Sequence, residues 1–376
     1  MLACPHLLII GGASRHVGKT EFACELIRRH AATFPIFGIK VTTVHERDDS
    51  YPRGGQECGA CTSLNENYCI TEESSADNEK DTTRMLCAGA RRVWWLRAVR
   101  EHLEAGVRDL LARIPANALV VCESSSARAV LEPGVFLVVR ESGSTSEELS
   151  CGAALSHADR VVEFDGSGWD FQPAQVAAAG NRWVLRPDAT AVILAGGDSR
   201  RMGRDKSLLE VGHKPLIGHI AEQLAFFPER LVGSNDQARY AFLQIPVVPD
   251  RQSGQGPLMG ILSCVDRAAY DVCFVTGCDT PMLDPQFILY LLSQADDYDI
   301  VIPQFADDRV EPLLAVYRKT VVPVAEAVLR GGGRRVVDLF AHLRVRIVRG
   351  EQPSWYCNLN TMEEYRRWMA LNIVQG

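Results

Sequence analysis

The sequence predicts two α/β domains, each built as three layers with a mainly parallel sheet between helices. Short apolar runs alternate with longer helical patterns along most of the chain, as expected when crossover helices connect buried parallel strands. The first apolar run of each half leads into a glycine-containing loop. The length of 376 residues also fits two domains.

In the first half, apolar runs of strand length lie between more polar helical stretches. A long segment over residues 49–80 is rich in Gly, Ser, Asn, Glu and Cys and has little periodicity, which is typical of a functional or mobile loop. The predicted strands are Leu7–Ile10, Phe37–Val41, Leu119–Val121 and Val135–Val139, and the predicted helices are Thr20–Arg29 and Val93–Ile114.

A second pattern of the same kind begins at Ala191. Proline and polar residues at Arg186–Thr190 interrupt the first pattern, so we place the domains at 1–188 and 189–376. The predicted strands are Ala191–Leu194, Leu231–Gly233, Val272–Thr276, Ile300–Ile302, Leu313–Tyr317 and Arg346–Val348, and the predicted helices are Pro215–Phe226, Pro257–Ala269, Pro285–Gln294 and Val321–Leu329.

Composition narrows the class of protein. The chain is 47% hydrophobic and 23% charged, which is normal for a soluble globular protein. A net charge of −7 argues against general nucleic-acid binding. No apolar run reaches membrane-spanning length, and the amino end lacks the pattern of a secretory signal. We therefore expect a cytoplasmic protein whose 12 cysteines are thiols or metal ligands rather than disulfides.

The most specific motif is the loop at residues 194–206, which reads LAGGDSRRMGRDK. Gly196 and Gly197 allow backbone amides to approach a phosphate closely, and Arg201 and Lys206 supply positive charge against a polyphosphate. The alternative is an ordinary turn between a strand and a helix. The full order of residues is much more specific than a bare glycine-rich loop and favours nucleotide binding.

Further polar residues follow later strands of the second half. In an open α/β sheet, ligands bind outside the carboxyl ends of the strands, so these residues are expected to line one crevice. Taken singly, Asp279 could instead cap a helix and Lys206 could be a solvated lysine. The residues concerned are Asn235, Asp250, Asp279, Asn358 and Asn360, together with the helix start Gly256-Pro257-Leu258.

With these segments, residues 190–370 resemble the molybdenum cofactor guanylyltransferase family. The resemblance implies a Rossmann-like nucleotidyltransferase fold and an enzyme that transfers GMP from GTP to molybdopterin and releases pyrophosphate. By motif it implies that the guanine nucleotide contacts Leu194, Ala195, Gly196 and Gly197, with Gly256-Pro257-Leu258 as a nearby wall.

The same resemblance assigns the remaining roles. Arg201 and Lys206 would hold the triphosphate, and Asn235 and Asp250 would fix the base and ribose end. Asp279 would bind Mg²⁺ with help from Asn358 or Asn360. Oxygen ligands suit this hard cation, whereas the neighbouring thiol of Cys278 does not.

Base choice and acceptor leave alternatives open. Paired glycines at the loop and the Gly-Pro-Leu segment favour guanylyl over cytidylyl transfer, and a sugar phosphate is a smaller possibility as acceptor. A GTP-dependent adaptor or metallochaperone, with the second half used only for binding, is the alternative from another class. The presence of both Lys206 and Asp279 favours a working enzyme.

The first half carries a relaxed P-loop, Ala13 to Thr20, between a strand and a helix. Lys19 would reach the phosphates and Thr20 would meet Mg²⁺, while Gly18 completes the loop; Ala13 stands where a glycine is usual. With the segment Lys80–Arg84, this loop resembles the molybdopterin-guanine dinucleotide adaptor family. A P-loop NTPase-like GTP-binding domain is thereby implied. Glu123 is either a second magnesium-side carboxylate or a solvated one.

Three cysteines of the first half stand close together in a polar region. Cys58 and Cys61 have the spacing of paired metal ligands, and Cys69 follows, with Cys87 or His45 as a fourth ligand. Zinc is the favoured metal and an iron–sulfur cluster the second choice; a redox thiol pair or no special role are the alternatives. The expected partners are GTP, molybdopterin with or without molybdenum, and molybdoenzyme apoproteins, with no nucleic acid and no membrane.

Overall fold

The computed structural model describes residues 1–12, 17–44, 64, 66–74, 80–143, 155–195, 205–305 and 309–372. The chain forms two compact units, Met1–Leu185 and Arg186–Gly376. Residues 186–188, predicted to end the first domain, thus go with the second unit. Arg186 explains this, because its guanidinium donates to the carbonyls of Ala225, Phe226 and Phe227.

A seven-stranded sheet forms the centre of the first unit, in the order β3-β4-β2-β5-β1-β6-β7. All neighbours are parallel except the edge pair β3–β4. The strands are β1 (Leu2–Gly12), β2 (Ile36–Val44), β3 (Tyr68–Glu72), β4 (Val93–Val99), β5 (Leu119–Glu123), β6 (Leu131–Glu141) and β7 (Arg160–Phe164); a hairpin of β8 (Val176–Ala179) and β9 (Arg182–Leu185) follows, and the helices are α1 (Lys19–His30), α2 (Asp81–Cys87) and α3 (Leu103–Ala112).

Both faces of this sheet are buried. Along β1, Leu8 and Ile10 pack in one apolar cluster with residues of α1, while Leu7 and Ile9 pack in another with residues of α3. Because successive side chains of a strand point to opposite faces, a run of consecutive apolar residues fits a strand covered on both sides. The predicted three-layer arrangement with a mainly parallel sheet is confirmed.

The prediction of one helix over Val93–Ile114 is wrong. Its first part is strand β4, which pairs in parallel with β2 and antiparallel with β3, and only Leu103–Ala112 is α-helical. A fully buried strand has no polar face, so its apolar run has no alternation to distinguish it from a buried helix. The Val and the two Trp residues at its start are the signal that favours a strand, since β-branched and aromatic residues are enriched there.

The second unit also contains a seven-stranded sheet, ordered β14-β13-β10-β15-β17-β16-β18. Only β17 runs antiparallel to its neighbours. The strands are β10 (Ala189–Leu194), β13 (Glu229–Gly233), β14 (Val247–Val248), β15 (Val272–Gly277), β16 (Ile300–Gln304), β17 (Leu314–Arg318) and β18 (Val345–Arg349), with a small pair β11 (Glu210–Val211) and β12 (Lys214–Pro215); the helices are α4 (Leu216–Gln223), α5 (Gln237–Tyr240), α6 (Pro257–Arg267), α7 (Pro285–Ser293), α8 (Val321–Arg330) and α9 (Met362–Asn372).

Strand β10 is central in this sheet, between β13 and β15 and parallel to both. Its six residues are all buried. Helix α6 packs on the sheet through a nearly continuous buried face that joins the cluster around Val192 and Val275. The carboxyl ends of β10, β13 and β15 therefore meet at one edge, where polar residues follow each strand. Within the described residues, no helix is both long and apolar enough to cross a membrane.

Candidate functional site

A pocket lies at the carboxyl ends of β10, β13 and β15 in the second unit. It forms where the chain leaves the central strand and where neighbouring strands end, which is the usual ligand position in such sheets. Many of the residues predicted from the sequence line it together with their neighbours. The lining residues are Leu194, Ala195, Asp205, Lys206, Gly233, Ser234, Asn235, Asp250, Gly256, Pro257, Gly260, Gly277, Cys278, Asp279 and Leu313.

The two ends of the 194–206 loop are held next to each other by a buried tyrosine. The Tyr240 hydroxyl donates to the Ala195 carbonyl at 3.1 Å and lies 3.0 Å from the Ser207 hydroxyl. Asp205 caps the following turn by accepting from the Ser207 backbone and hydroxyl, and it pairs with Arg239 at 2.6 Å. These contacts fix the point at which Lys206 enters the pocket. Sequence reasoning missed Tyr240, which lies on a separate short helix.

Lys206 and Asp279 form an ion pair in the pocket. The Lys206 Nζ lies 3.0 Å from Asp279 Oδ2 and 3.5 Å from Asn360 Oδ1, although the three residues come from distant parts of the chain. Gly277 permits this position of Asp279, because a Cβ on Gly277 would clash with Asp279 Oδ1. Two side-chain oxygens, from Asp279 and Asn360, thus converge on the Lys206 ammonium. This donor set fits a hard divalent ion such as Mg²⁺.

Asn358, the alternative magnesium residue, is used differently. Its Oδ1 accepts from the Thr280 hydroxyl at 3.1 Å, and its Nδ2 donates to the Tyr356 hydroxyl at 2.9 Å. The backbone of Leu359 also donates to the Asp279 carbonyl at 2.8 Å. Asn358 therefore ties the late segment to the strand end that carries Asp279. This leaves Asn360 as the amide oxygen nearer the ion pair.

Asn235 and Asp250 are brought together as a reciprocal pair. The Asn235 Nδ2 donates to Asp250 Oδ2 at 3.0 Å, and the Asp250 backbone N–H donates back to Asn235 Oδ1 at 2.8 Å. Gly260 leaves space beside them, since a Cβ there would lie 3.5 Å from Asp250 Oδ1 and narrow the pocket. The pair holds a carboxylate at the pocket wall, where it is an acceptor for N–H groups of a ligand.

Helix α6 begins at this pocket. Gly256 precedes it with φ 76, a left-handed backbone that favours glycine, and Pro257 occupies the first helical position. Both residues line the pocket. The first N–H groups of an 11-residue helix and its dipole thus add positive potential at one wall.

A second cavity adjoins the first and shares Pro257, Asp279 and Leu313 with it. Arg334 and Arg335 contribute positive charge to it. Asp338 accepts from both backbone N–H groups at 3.1 and 3.0 Å, and it also pairs with the Arg335 guanidinium at 3.0 Å. Sequence reasoning assigned no role to these three residues. Glu311, Pro312, Val336, Tyr356, Leu258 and Asn358 complete the lining.

The cysteine beside Asp279 is not set up for chemistry. Burial raises the pKa of the Cys278 thiol to about 12, so it stays protonated at neutral pH. Neither thiolate attack nor metal ligation is expected from it. The other predicted residues of this loop, Gly196, Gly197 and Arg201, lie outside the described residues.

In the first unit, the structure describes the carboxyl half of the predicted phosphate loop. Gly18 caps α1 in a left-handed conformation with φ 75, and Lys19 opens the helix. The Lys19 side chain folds back over the end of β1, since a Cβ on Gly12 would clash with the end of that side chain. The lysine therefore lies across the loop entrance, where an anion at the helix start would meet it. Residues 13–16 lie outside the described part of the chain.

Thr20 connects two carboxylates from other elements. Its hydroxyl lies 3.0 Å from Asp81 Oδ1 and 2.8 Å from Glu123 Oε2, so one proton serves two acceptors. Burial raises the pKa of Glu123, which is 7% exposed and therefore not the solvated carboxylate of the alternative interpretation. Burial also opposes ionisation of Asp81, but hydrogen bonds from Lys40 and Thr20 outweigh it and lower the pKa of Asp81.

The predicted zinc or iron–sulfur site receives no support. Cys69 lies on edge strand β3, with its Sγ 3.5 Å from an Arg97 guanidinium nitrogen and 3.8 Å from the Thr71 hydroxyl. Among the described residues, no group of three His, Cys, Asp or Glu side chains is arranged to hold a metal. Cys58, Cys61 and His45 lie outside those residues.

Comparison with known proteins finds relatives of the second unit. Residues 191–347 match the family model described as a MobA-like NTP transferase domain. A probable molybdenum cofactor guanylyltransferase of Carboxydothermus hydrogenoformans is 33% identical over 189 residues, which cover 48% of this chain and 95% of that protein. Another, of Pelotomaculum thermopropionicum, is 38% identical over 164 residues, covering 43% and 80%. The crystal structure of molybdopterin-guanine dinucleotide biosynthesis protein A from Archaeoglobus fulgidus is 23% identical, covers 50% of this chain and all of that one, and gives a TM-score of 0.44.

Proposed function

The chain belongs to the molybdenum cofactor guanylyltransferase family, and we propose that its second unit transfers GMP from GTP to molybdopterin through Lys206 and Asp279. The observation that carries the assignment of roles is that Asp279 and Asn360 both approach Lys206, and that Lys206 and Asp279 line the first pocket. A lysine beside a carboxylate and an amide oxygen suits a magnesium–triphosphate complex.

In the reaction, a phosphate oxygen of molybdopterin attacks the α-phosphorus of GTP. The new P–O bond joins GMP to molybdopterin, while the bond to the β-phosphate oxygen breaks and pyrophosphate leaves with its electron pair. Nucleophile and electrophile are both anionic, so positive charge at the reacting centre lowers the barrier. Lys206 supplies such charge from the protein. Asp279, with Asn360, holds Mg²⁺, which neutralises phosphate charge when bound.

The two adjoining cavities suit a donor and an acceptor. Asp279 lines both of them, so the carboxylate lies on the wall that they share. We assign the first cavity to GTP and the second to molybdopterin, whose phosphate is complementary to Arg334 and Arg335. Burial raises the pKa of the Tyr356 hydroxyl, which accepts from Asn358 and is hydrogen-bonded to the Glu311 carboxylate. The two arginines are therefore the groups of this cavity that suit an anionic acceptor, beside the carboxylates of Asp279 and Glu311.

For the base, we propose that the Asn235–Asp250 pair reads guanine. The N1–H and amino group of guanine are donors, which match a carboxylate acceptor; cytosine presents an unprotonated ring nitrogen and a carbonyl along the corresponding edge. The reciprocal hydrogen bonds hold the Asp250 carboxylate in one orientation. A site built around acceptors discriminates against a base that cannot fill them, because its polar groups lose their hydrogen bonds.

We further propose that the first unit binds GTP with Mg²⁺ through its P-loop, as an adaptor joined to the transferase. The support is the position of Lys19 over Gly12, the left-handed Gly18 and the oxygen set around Thr20. That set, one hydroxyl and two carboxylates, fits a hard cation. Fusion keeps the two units at high effective concentration, which suits a reactive cofactor that should not diffuse.

The test of the proposed transfer is pyrophosphate release by the purified chain with Mg²⁺ and molybdopterin, comparing GTP with CTP. We expect turnover with GTP and little with CTP. Turnover with CTP but not with GTP would contradict the base assignment and would leave the proposed roles of Lys206 and Asp279 unchanged. No turnover with either, but release with a sugar phosphate, would overturn the acceptor.

A further inference from the structure

The first unit contains a lysine that its proposed nucleotide site does not explain. Lys40 lies on β2, and its register partner is Glu123 on the neighbouring strand β5. Its Nζ pairs with Asp81 Oδ2 and lies 3.8 Å from Glu123 Oε1. The same two carboxylates accept from Thr20 through their other oxygens. Each carboxylate therefore faces Thr20 on one side and Lys40 on the other.

Lys40 is the cation within ion-pair distance of both carboxylates, while Lys19 acts on Glu123 and Arg84 on Asp81. Asp81 and Glu123 bring two negative charges to one place, and the Glu123 side chain is only 9% exposed. Such a pair of carboxylates repels unless a cation lies between them. The Lys40 ammonium, on a side chain that is 26% exposed, is that cation in the present structure. The Lys40 ammonium therefore lies against the carboxylate oxygens that the proposed metal would need as ligands.

We propose that Lys40 is an internal counter-ion, which neutralises Asp81 and Glu123 when no nucleotide is bound and turns to the terminal phosphate of a nucleoside triphosphate when a divalent cation takes the carboxylates. This inference rests on the proposed binding of a nucleotide by the first unit. It predicts that the site prefers a triphosphate over a diphosphate, because the Lys40 ammonium released from the carboxylates then has a terminal phosphate as its new anionic partner.

The geometry makes the exchange local. Lys40 and Glu123 are paired positions on adjacent parallel strands, so their side chains lie on the same face of the sheet. Ile10 pairs with Glu123 on the other side, and its side chain packs in the cluster around α1. Lys40 and Lys19 are therefore on the face where α1 begins. A long lysine side chain with three rotatable donors reaches a new partner by rotamer change alone.

The counter-ion role is tested by titrating the full chain with Mn²⁺ in the absence of nucleotide. The electron paramagnetic resonance signal of free Mn²⁺ measures how much of the ion is bound. All proteins carry Asp279→Asn, which removes the carboxylate of the second unit, and Mn²⁺ prefers oxygen to the thiols of the chain. We expect Lys40→Met to bind Mn²⁺ about tenfold more tightly than the parent, since one opposing charge is gone. Lys80→Met is the matched control, because Lys80 is exposed beside Asp81 and has no ion pair within the described residues.

Unchanged or weaker Mn²⁺ binding by Lys40→Met would overturn the counter-ion role, and an equal gain in Lys80→Met would overturn it in favour of a general charge effect. Lys40→Gln serves as a second neutral variant and Lys40→Arg as the variant that keeps the charge. If Lys40→Met unfolds, tighter binding in Lys40→Gln with parental binding in Lys40→Arg supports the counter-ion role, and parental binding in Lys40→Gln overturns it. Circular dichroism checks that each variant is folded.

The phosphate role is tested by hydrogen exchange of the peptide over residues 17–30, which reports on the first unit alone. We expect GTP with Mg²⁺ to protect this peptide more than GDP does in the parent, and the difference to shrink in Lys40→Met. An undiminished difference would overturn the phosphate role. No protection by either nucleotide in the parent would contradict the proposed nucleotide binding, and with it the phosphate role, while the Mn²⁺ titration would still decide the counter-ion role.

Discussion

Replacing Lys206 by alanine removes the cation at the centre of the proposed reaction. The Lys206 Nζ is 3.0 Å from Asp279 Oδ2, and both side chains are 21% exposed. Two unit charges about 4 Å apart attract by ~4 kcal/mol at an effective dielectric constant of ~20. With solvent screening of the exposed part, we take about half of this, ~2 kcal/mol, as the lost stabilisation of the transition state. That is about a 30-fold fall in kcat/KM.

The assay is pyrophosphate release with GTP, Mg²⁺ and molybdopterin, with circular dichroism to show that the variant is folded. Lys214→Ala is the matched control, since Lys214 is more than half exposed and pairs with Glu222 on the surface of the same unit. It is expected to leave turnover unchanged. A fall of less than about threefold in Lys206→Ala would refute the reasoning, because the charge would then contribute little to the transition state.

Three further predictions concern other parts of the chain. Gly18→Ala is expected to lower the free energy of unfolding, measured by urea titration, by about 1 kcal/mol or more, because φ 75 is strained for alanine. Gly168→Ala is the control and should be neutral, since Gly168 has open space around it and no positive φ. Equal effects of the two substitutions would contradict this reasoning. Asp338→Ala frees the backbone of Arg334 and Arg335 at the second cavity and breaks an ion pair with the Arg335 guanidinium, whose side chain is 79% exposed so that this pair contributes little. The KM for molybdopterin should rise roughly fivefold and that for GTP should stay unchanged, and a parallel rise in both would oppose the assignment. Burial favours protonation of Asp299, but hydrogen bonds from a threonine hydroxyl and from Arg344 outweigh burial and lower the pKa of Asp299. The stability that ionised Asp299 contributes is therefore fully present above about pH 4 and is lost as the pH falls through the lowered pKa. The stability difference between wild type and Asp299→Ala should therefore narrow in acid, and a difference independent of pH would contradict the ionic role.

Much of the fold is predictable because the signals are local. Strands such as β10 and β15 are short apolar runs that end in glycine or polar residues, and the structure forms them where predicted. The segment Val93–Val99 escapes prediction because a strand buried on both faces has no alternating pattern. This segment becomes a strand because it pairs with β2 and β3, which come from other parts of the sequence.

The site divides in the same way. The loop that leads to Lys206, the left-handed Gly18 and the start of α6 at Gly256-Pro257 are properties of a few adjacent residues, so their chemistry can be read from the sequence. Tyr240, Lys40 and Asp338 cannot be assigned in this way. Tyr240 and Lys40 act through a hydrogen bond or ion pair to residues far away in the chain, and the bonds of Asp338 matter only because folding brings its arginine neighbours to the second cavity.

The sequence by itself determined which chemical groups this protein has and the short loops that present them, since glycine conformation, helix starts and apolar runs depend on neighbouring residues. Only the tertiary structure decided which groups meet. Lys206 and Asp279 are 73 residues apart, and Lys206 and Asn360 are 154 apart, yet both partners contact the Lys206 ammonium. The physical reason is that parallel strands from separate segments end at one edge of the sheet, and the pairing of those strands depends on burial of the whole core rather than on any local pattern.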